Sequence, residues 1–116
     1  MKMVTFPGVT TETDLQLALA KAGDKVVCVK FTAKWCKPCA KLHPVLETLA
    51  EHHTRVMVYT ADLDRATELV SRYDIRAVPT MIFFWKNHVI HTQAGSDETT
   101  LTTAFEVANA MAHAAN

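Results

Sequence analysis

The sequence of 116 residues is poor in the features that define several protein classes. Its three cysteines are an odd number, too few for the disulfide framework of a small secreted domain, and favour a reducing compartment. Twelve basic residues balance twelve acidic ones, so no net charge attracts nucleic acid or an anionic membrane. No apolar run approaches the ~20 residues that span a bilayer. The opening MKMVTFPGVT lacks the apolar core of a signal peptide. We therefore expect a cytoplasmic protein, with import into an organelle left open.

Apolar residues make up 49% of the chain, enough for one hydrophobic core, and we expect a single domain over residues 1–116. Short β-branched runs alternate with amphipathic segments. They predict strands at 3–6, 25–32, 55–61, 80–85 and 89–93, and helices at 11–22, 36–53, 64–73 and 97–113. The order β-α-β-α-β-α-β-β-α predicts an α/β fold with a central mixed five-stranded sheet flanked by four helices.

The most informative run is WCKPC at residues 35–39, in which two cysteines are three positions apart after a predicted strand. A helix brings such positions onto one face, and a disulfide needs Cα atoms only a few ångströms apart. The spacing therefore predicts a dithiol that opens and closes. The alternatives are an inert disulfide or half of a zinc site with nearby histidines. There is no second CxxC, and a proline between the cysteines fits a helix start better than a zinc site, so no metal or other cofactor is expected.

The two cysteines have different expected roles. Cys36 is predicted at a helix N-terminus, where free N–H groups and the macrodipole favour a thiolate, and Lys37 adds a positive charge beside it. Cys39 lies one turn further in, where burial keeps it a thiol until it is needed. Cys36 would attack a substrate disulfide, and Cys39 would then attack the Cys36 sulfur and release the reduced substrate. Pro38 fixes φ in the first turn, where its missing N–H is tolerated.

The WCKPC run, Pro44 in the following helix, the run RAVPT at 76–80 and Gly95 after the last strand resemble the thioredoxin family over nearly the whole chain, with Lys37 in place of the usual glycine. The resemblance implies a thioredoxin fold and a thiol–disulfide oxidoreductase in which Cys36 and Cys39 are the redox-active pair. It also implies a cis Val78–Pro79 bond. The resemblance further implies an apolar surface that binds the substrate chain, and we call it the docking surface. It is formed by Trp35, Leu63, Ala77, Val78, Pro79, Ala94 and Gly95.

The same resemblance implies partners. The substrates would be proteins that contain disulfides, and the electron donor would be a separate reductase of the thioredoxin-reductase type or a small dithiol. No nucleotide motif such as GxGxxG occurs in the chain. A monomer that takes part in electron transport and cell redox homeostasis is the expected form.

One position departs from the family. Thioredoxins generally carry a buried Asp six residues before the first cysteine, and this chain has Lys30 there, with Thr60 at the basic position usual on the next strand. Three interpretations of Lys30 stay open: an ammonium that stabilises the thiolate, a neutral amine that acts as a base, or a side chain that reaches the strand edge and keeps its charge in water. Our hypothesis is that Lys30 and Lys37 favour the reduced form and make the protein more oxidising. Cys28 is interpreted as a small buried hydrophobe.

Two other functions compete with this interpretation. A glutaredoxin-type protein that uses glutathione would usually carry its CxxC closer to the N-terminus, and a redoxin that depends on a small, trypanothione-like dithiol stays open as an alternative. A non-catalytic interaction module would retain the fold and lose a cysteine or Pro79, and neither is lost here.

Overall fold

The computed structural model describes residues 5–114 as a four-stranded sheet covered by helices on both faces. The sheet order is β2-β1-β3-β4, with β1 parallel to β2, and β3 antiparallel to both of its neighbours. No helix within these residues is long and apolar enough to cross a membrane. In chain order the elements are α1 (Glu12–Ala22), β1 (Val26–Thr32), α2 (Lys37–His52), β2 (Val56–Asp62), α3 (Thr67–Arg72), β3 (Thr80–Trp85), β4 (His88–Ala94) and α4 (Glu98–Ala114).

The predicted fold class is confirmed, but the count of five strands was wrong. The expected first strand, 3–6, lies partly outside the described residues, and its last two residues are not in a strand. Instead, Gly8 makes a single parallel bridge to Thr60 of β2, in which the Thr60 N–H donates to the Pro7 carbonyl at 2.9 Å and the Val9 N–H donates to the Thr60 carbonyl at 2.8 Å. The next bond of a parallel ladder would need an N–H on residue 7, and proline has none.

The central strand β1 divides the core in two, because its side chains alternate between the two faces of the sheet. Val27, Val29 and Phe31 belong to the cluster that packs under α1 and α3. Val26 and Cys28 belong to the cluster under α2 and α4. Lys30 continues the second set, so this face places an ionisable amine in an otherwise apolar layer beneath α2.

Helix α3 begins three residues later than predicted. The Asp62 carbonyl at the end of β2 accepts hydrogen bonds from the N–H groups of Arg65, at 3.0 Å, and Ala66, at 2.7 Å, and this turn precedes the helix. Ala66, the residue before the helix, offers no side-chain cap. The turn matters for the site because it holds Leu63, which packs against the cysteine pair.

The predicted hairpin between β3 and β4 is present, but its turn is Lys86 and Asn87 rather than the predicted 86–88, because β4 already begins at His88, which pairs with Trp85. Lys86 and Asn87 have positive φ, 49° and 69°, the backbone that a two-residue turn needs to match the twist of its strands. Strand β4 lies at the edge of the sheet and is exposed along most of its length. Its last residue, Ala94, and the following Gly95 bring the chain back to the site.

Candidate active site

The cysteine pair lies at the start of α2, as predicted. Cys36 is the N-cap residue and its Sγ accepts the Cys39 N–H at 3.2 Å. The two cysteines form a disulfide with their Cα atoms 5.3 Å apart, a usual separation for such a bond. Both are buried, and the first turn of the helix contains no acidic residue. Any negative charge that develops on Cys36 therefore meets the positive end of the helix dipole without a competing carboxylate on that turn.

The loop before β3 faces the disulfide across the site. Its Val78–Pro79 bond is cis, as predicted, and the Val78 carbonyl oxygen lies 3.7 Å from the Cys36 Sγ. Two further bonds fix this loop: the Thr80 hydroxyl donates to the Ala77 carbonyl at 2.7 Å, and the Gly95 N–H donates to the Pro79 carbonyl at 2.9 Å. The loop is therefore tied to the end of β4, and Val78 keeps its place beside Cys36.

The seven residues predicted to form the docking surface converge from four loops. Trp35 is 64% exposed before α2, and Ala77, Ala94 and Gly95 are also exposed. Leu63 and Val78 are half-buried and pack against the cluster that contains both cysteines. Pro79 is buried, so its place is behind the surface, where its carbonyl holds Gly95.

Lys30 lies beneath the dithiol and is shielded from water. The residue is 3% exposed and its Nζ donates a hydrogen bond to the Cys39 carbonyl oxygen at 2.8 Å. The interpretation in which its charge reaches water at the strand edge was therefore wrong. Burial lowers the pKa of the Lys30 amine below its ordinary value, because a charged amine loses its hydration there. Lys37 differs, since it is exposed on the first turn of α2.

Cys28 is free and fully buried in β1, as predicted. Burial raises the pKa of its thiol, an effect that the nearby Lys30 charge opposes. A buried thiol of this kind is a poor nucleophile. Within residues 5–114, no group of three or more His, Cys, Asp or Glu side chains is arranged to hold a metal ion.

Two neighbours of the site were not found from the sequence. The Trp35 indole N–H donates to the Asp64 carboxylate at 3.2 Å, which ties the exposed ring to the turn after β2. Ala33 is buried in the same cluster as the two cysteines. No sequence motif marks either residue, and the only signal for Asp64 is its position just after a strand whose end lies beside the dithiol.

The described residues form grooves on the surface, two of which can be compared with the site. One of about 260 Å³ adjoins the start of α2 and is lined by Lys37, Pro38, Lys41, Leu42, Ser96 and Glu98. The larger, about 450 Å³, lies between β4 and α4, where Ile90, Val107 and Met111 line it. None of the predicted site residues lines the larger groove, so we assign this groove no part in the dithiol chemistry.

Known proteins share this arrangement. The thioredoxin family model matches residues 7–106. The chain belongs to the thioredoxin family. It is 42% identical to a thioredoxin from Ictalurus punctatus over 86 residues, which cover 72% of this chain and 80% of the relative.

Solved thioredoxin structures agree with the fold. The germline-specific thioredoxin Deadhead of Drosophila melanogaster superposes with a TM-score of 0.81 at 31% identity, covering 88% of this chain and 98% of that one. The Fasciola hepatica thioredoxin gives a TM-score of 0.84 at 26% identity, covering 89% and 99%. Family membership and the Cys36–Cys39 pair identify the chain as a protein-disulfide oxidoreductase.

Proposed function

We propose that Cys36 is the attacking cysteine and Cys39 the resolving cysteine in the reduction of disulfides in other proteins. The observation that carries this proposal is the position of the pair, with Cys36 as N-cap of α2 next to an open apolar surface and Cys39 one turn inside at 1% exposure. A thiolate is stabilised best at the helix end, and the buried thiol is protected from competing reactions.

The reaction proceeds in two balanced exchanges. The Cys36 thiolate attacks one sulfur of the substrate disulfide, forms a mixed disulfide and displaces the second substrate sulfur as a thiolate, which takes up a proton. Cys39 then loses its proton and attacks the Cys36 sulfur. The first substrate sulfur leaves and is protonated, so the substrate gains two electrons and two protons while Cys36 and Cys39 become a disulfide.

The docking surface holds the substrate chain beside Cys36. Ala77 and Gly95 have little or no side chain, so another backbone can approach closely. The Val78 carbonyl can accept an N–H from a substrate strand next to the sulfur under attack. The exposed Trp35 ring adds apolar area beside the cysteines, and substrate binding would cover it.

Lys30, Lys37 and Pro38 tune the dithiol in this proposal. The exposed Lys37 places a positive charge next to the Cys36 thiolate, and the buried Lys30 amine touches the backbone of Cys39. Both favour the reduced state, which carries the negative charge, and so raise the reduction potential. Pro38 is the second residue of the helix and fixes the first turn.

The proposal extends to the cellular setting. We propose a single domain over residues 1–116 that works as a monomer in the cytoplasm, as a carrier in electron transport. Its oxidised form would be reduced by a separate reductase of the thioredoxin-reductase type or by a small dithiol. The family membership of the chain supports both disulfide-containing proteins as substrates and a reductase as electron donor.

The test is the reduction of insulin by dithiothreitol, followed by the precipitation of the free B chain. The wild type should accelerate the reaction strongly, and Cys36→Ser should not accelerate it at all. Cys28→Ala serves as the matched control because Cys28 is a free, buried cysteine in a different core cluster from Cys36 and Cys39, and it should retain the wild-type rate. Equal acceleration by the wild type and Cys36→Ser would overturn the proposal.

A further inference from the structure

Lys30 is a buried amine whose hydrogen-bond partner belongs to the dithiol segment. Its Nζ donates to the Cys39 carbonyl at 2.8 Å, and the residue is 3% exposed. A backbone carbonyl carries no formal charge, so this bond does not neutralise an ammonium. A buried ammonium without an anionic partner is strongly disfavoured and gives up its proton more readily.

The groups around Lys30 provide little permanent negative charge that could stabilise an ammonium. On the same face, its own strand presents the neutral thiol of Cys28, β3 presents Met81, and β2 presents Thr60 opposite Lys30 and Asp62 two positions further on. The Asp62 carboxylate accepts the Asp64 N–H at 3.0 Å. From α4, Leu101 and Phe105 complete this layer.

Helix α2 supplies the remaining titratable groups. His43 is half-buried one turn after Cys39 and lies 3.4 Å from Glu47. In the part of the chain that the structure describes, no carboxylate forms an ion pair with Lys30. On α2, the group next to Lys30 that can carry a negative charge is the dithiol itself. It carries that charge only when it is reduced.

We propose that Lys30 holds the proton that accompanies reduction of the dithiol: its amine is neutral while Cys36 and Cys39 form a disulfide, and it becomes an ammonium when Cys36 becomes a thiolate. This rests on the proposed function, in which Cys36 reacts as a thiolate. Lys30 is thus a positioning residue for a proton rather than a group that touches substrate.

The electrons and protons balance without a further reactant. A donor dithiol gives up two electrons and two protons as it closes its own disulfide. The two electrons break the Cys36–Cys39 bond. One proton goes to the Cys39 sulfur and the other to the Lys30 nitrogen, while Cys36 keeps a negative charge. During substrate reduction the flow reverses, and the Lys30 proton and the Cys39 proton leave with the two substrate thiols.

This arrangement gives Lys30 a negatively charged neighbour, the Cys36 thiolate, only in the reduced state, in which Lys30 is an ammonium. The structure shows the disulfide state, in which the amine is bonded to a neutral carbonyl. Reduction places an anion at the same helix N-terminus, and an opposite charge nearby favours the ammonium. Proton uptake by Lys30 is therefore coupled to electron uptake by the cysteines.

The experiment measures the midpoint potential against pH, from pH 6 to 9, by equilibration with a reference dithiol. Alkylation of Cys36 at each pH reports where its thiolate forms. Above the pH at which the Cys36 thiolate forms, the ratio of reduced to oxidised wild type at fixed potential should still change about 100-fold per pH unit. This is the dependence expected for two protons per two electrons. In Lys30→Met the change should fall to about tenfold, a loss of about 30 mV per pH unit in the slope.

Asp62→Asn is the matched control, since Asp62 is the carboxylate on the neighbouring strand that faces the same side. It should keep the wild-type slope. Equal slopes for the wild type and Lys30→Met would overturn the proposal, and so would a lower slope in Asp62→Asn, because the proton would then involve the carboxylate.

A second measurement uses the unaltered chain, in case Lys30→Met does not fold. Reduction of the wild type by excess dithiol, at a pH where Cys36 alkylates as a thiolate and the donor dithiol is protonated, should release no net proton to an indicator dye, because the two protons that the donor loses go to the Cys39 sulfur and the Lys30 amine. Release of one proton per disulfide would overturn the proposal. Both measurements follow the Cys36–Cys39 disulfide without a protein substrate. Their results are therefore independent of insulin reduction, and failure of this proposal can be distinguished from failure of the proposed function.

Discussion

The Cys36 Sγ lies 3.7 Å from the carbonyl oxygen of Val78, and this contact joins the two halves of the site. One half is the N-terminus of α2 and the other is the loop that leads into β3. The bond from the Gly95 N–H to the Pro79 carbonyl adds the end of β4 to the same assembly. These contacts therefore hold three separate segments of the chain together before a substrate binds.

The first prediction separates the roles of the two cysteines. Cys39→Ser should retain attack by Cys36 but stop before release, because a hydroxyl does not resolve the mixed disulfide. Covalent complexes with protein substrates should accumulate on Cys36 and disappear when a reducing agent is added, as shown by mass spectrometry on non-reduced samples. Cys36→Ser should trap none. Complexes of equal abundance on Cys39 in Cys36→Ser would contradict the assignment.

The chemistry of the site could be predicted from the sequence because it depends on local features. WCKPC after a strand fixes Cys36 at a helix start, and the structure has it as the N-cap residue. The cis Val78–Pro79 bond followed from a family resemblance, since a sequence motif can identify a loop that physical reasoning alone does not determine.

The environment of Lys30 could not be predicted in the same way. Alternation along β1 indicates which face the residue occupies, but the direction of a long flexible side chain depends on what lies above that face. The Cys39 carbonyl is placed there by the packing of α2, a tertiary contact. For the expected strand at 3–6, whose residues 5 and 6 are not in a strand, the signal was present in the sequence: Pro7 has no N–H, but its effect on a ladder depends on which neighbour pairs with it.

The second prediction concerns the exposed ring at the docking surface. Trp35→Ala should reduce kcat/KM for insulin several-fold, because apolar contact area with the substrate is lost, and should leave the thermal stability nearly unchanged. Leu17→Ala on α1 is the matched control, since Leu17 is 65% exposed and Trp35 is 64% exposed. Loss of insulin reduction in both variants, or in neither, would remove Trp35 from the docking surface.

The third prediction uses the two glycines with positive φ, Gly95 at 98° and Gly23 at 59°. A Cβ at either position would meet no atom within 4 Å. Alanine should therefore destabilise each site through backbone strain alone, by about 1–2 kcal/mol. Only Gly95→Ala should also raise KM for a protein substrate, because its Cβ would stand where the substrate backbone approaches. Thermal unfolding and steady-state kinetics on both variants test this, and an equal KM in both would contradict it.

The fourth prediction concerns the exposed cation beside Cys36. Lys37→Ala should lower the midpoint potential by on the order of 10 mV, because an exposed charge near a helix terminus contributes only about 0.5 kcal/mol and the solvent screens it. Lys41→Ala removes an exposed charge one turn further along α2 and should have a smaller effect. The difference should shrink in 1 M salt. A potential that rises in Lys37→Ala would contradict the tuning role.

The last prediction is the pH dependence of stability in the oxidised protein. Burial lowers the pKa of Lys30 in the folded chain, while the unfolded chain keeps that proton to about pH 10.4. Between these two pKa values the unfolded state binds more protons, so the free energy of unfolding rises with pH, by at most about 1.4 kcal/mol per unit. The wild type should therefore gain stability over Lys30→Met as pH rises towards 10, measured by urea unfolding. Lys25→Met, which removes an exposed lysine at the start of the same segment, is the control. A difference that stays flat or falls with pH would show that Lys30 remains charged in the disulfide state.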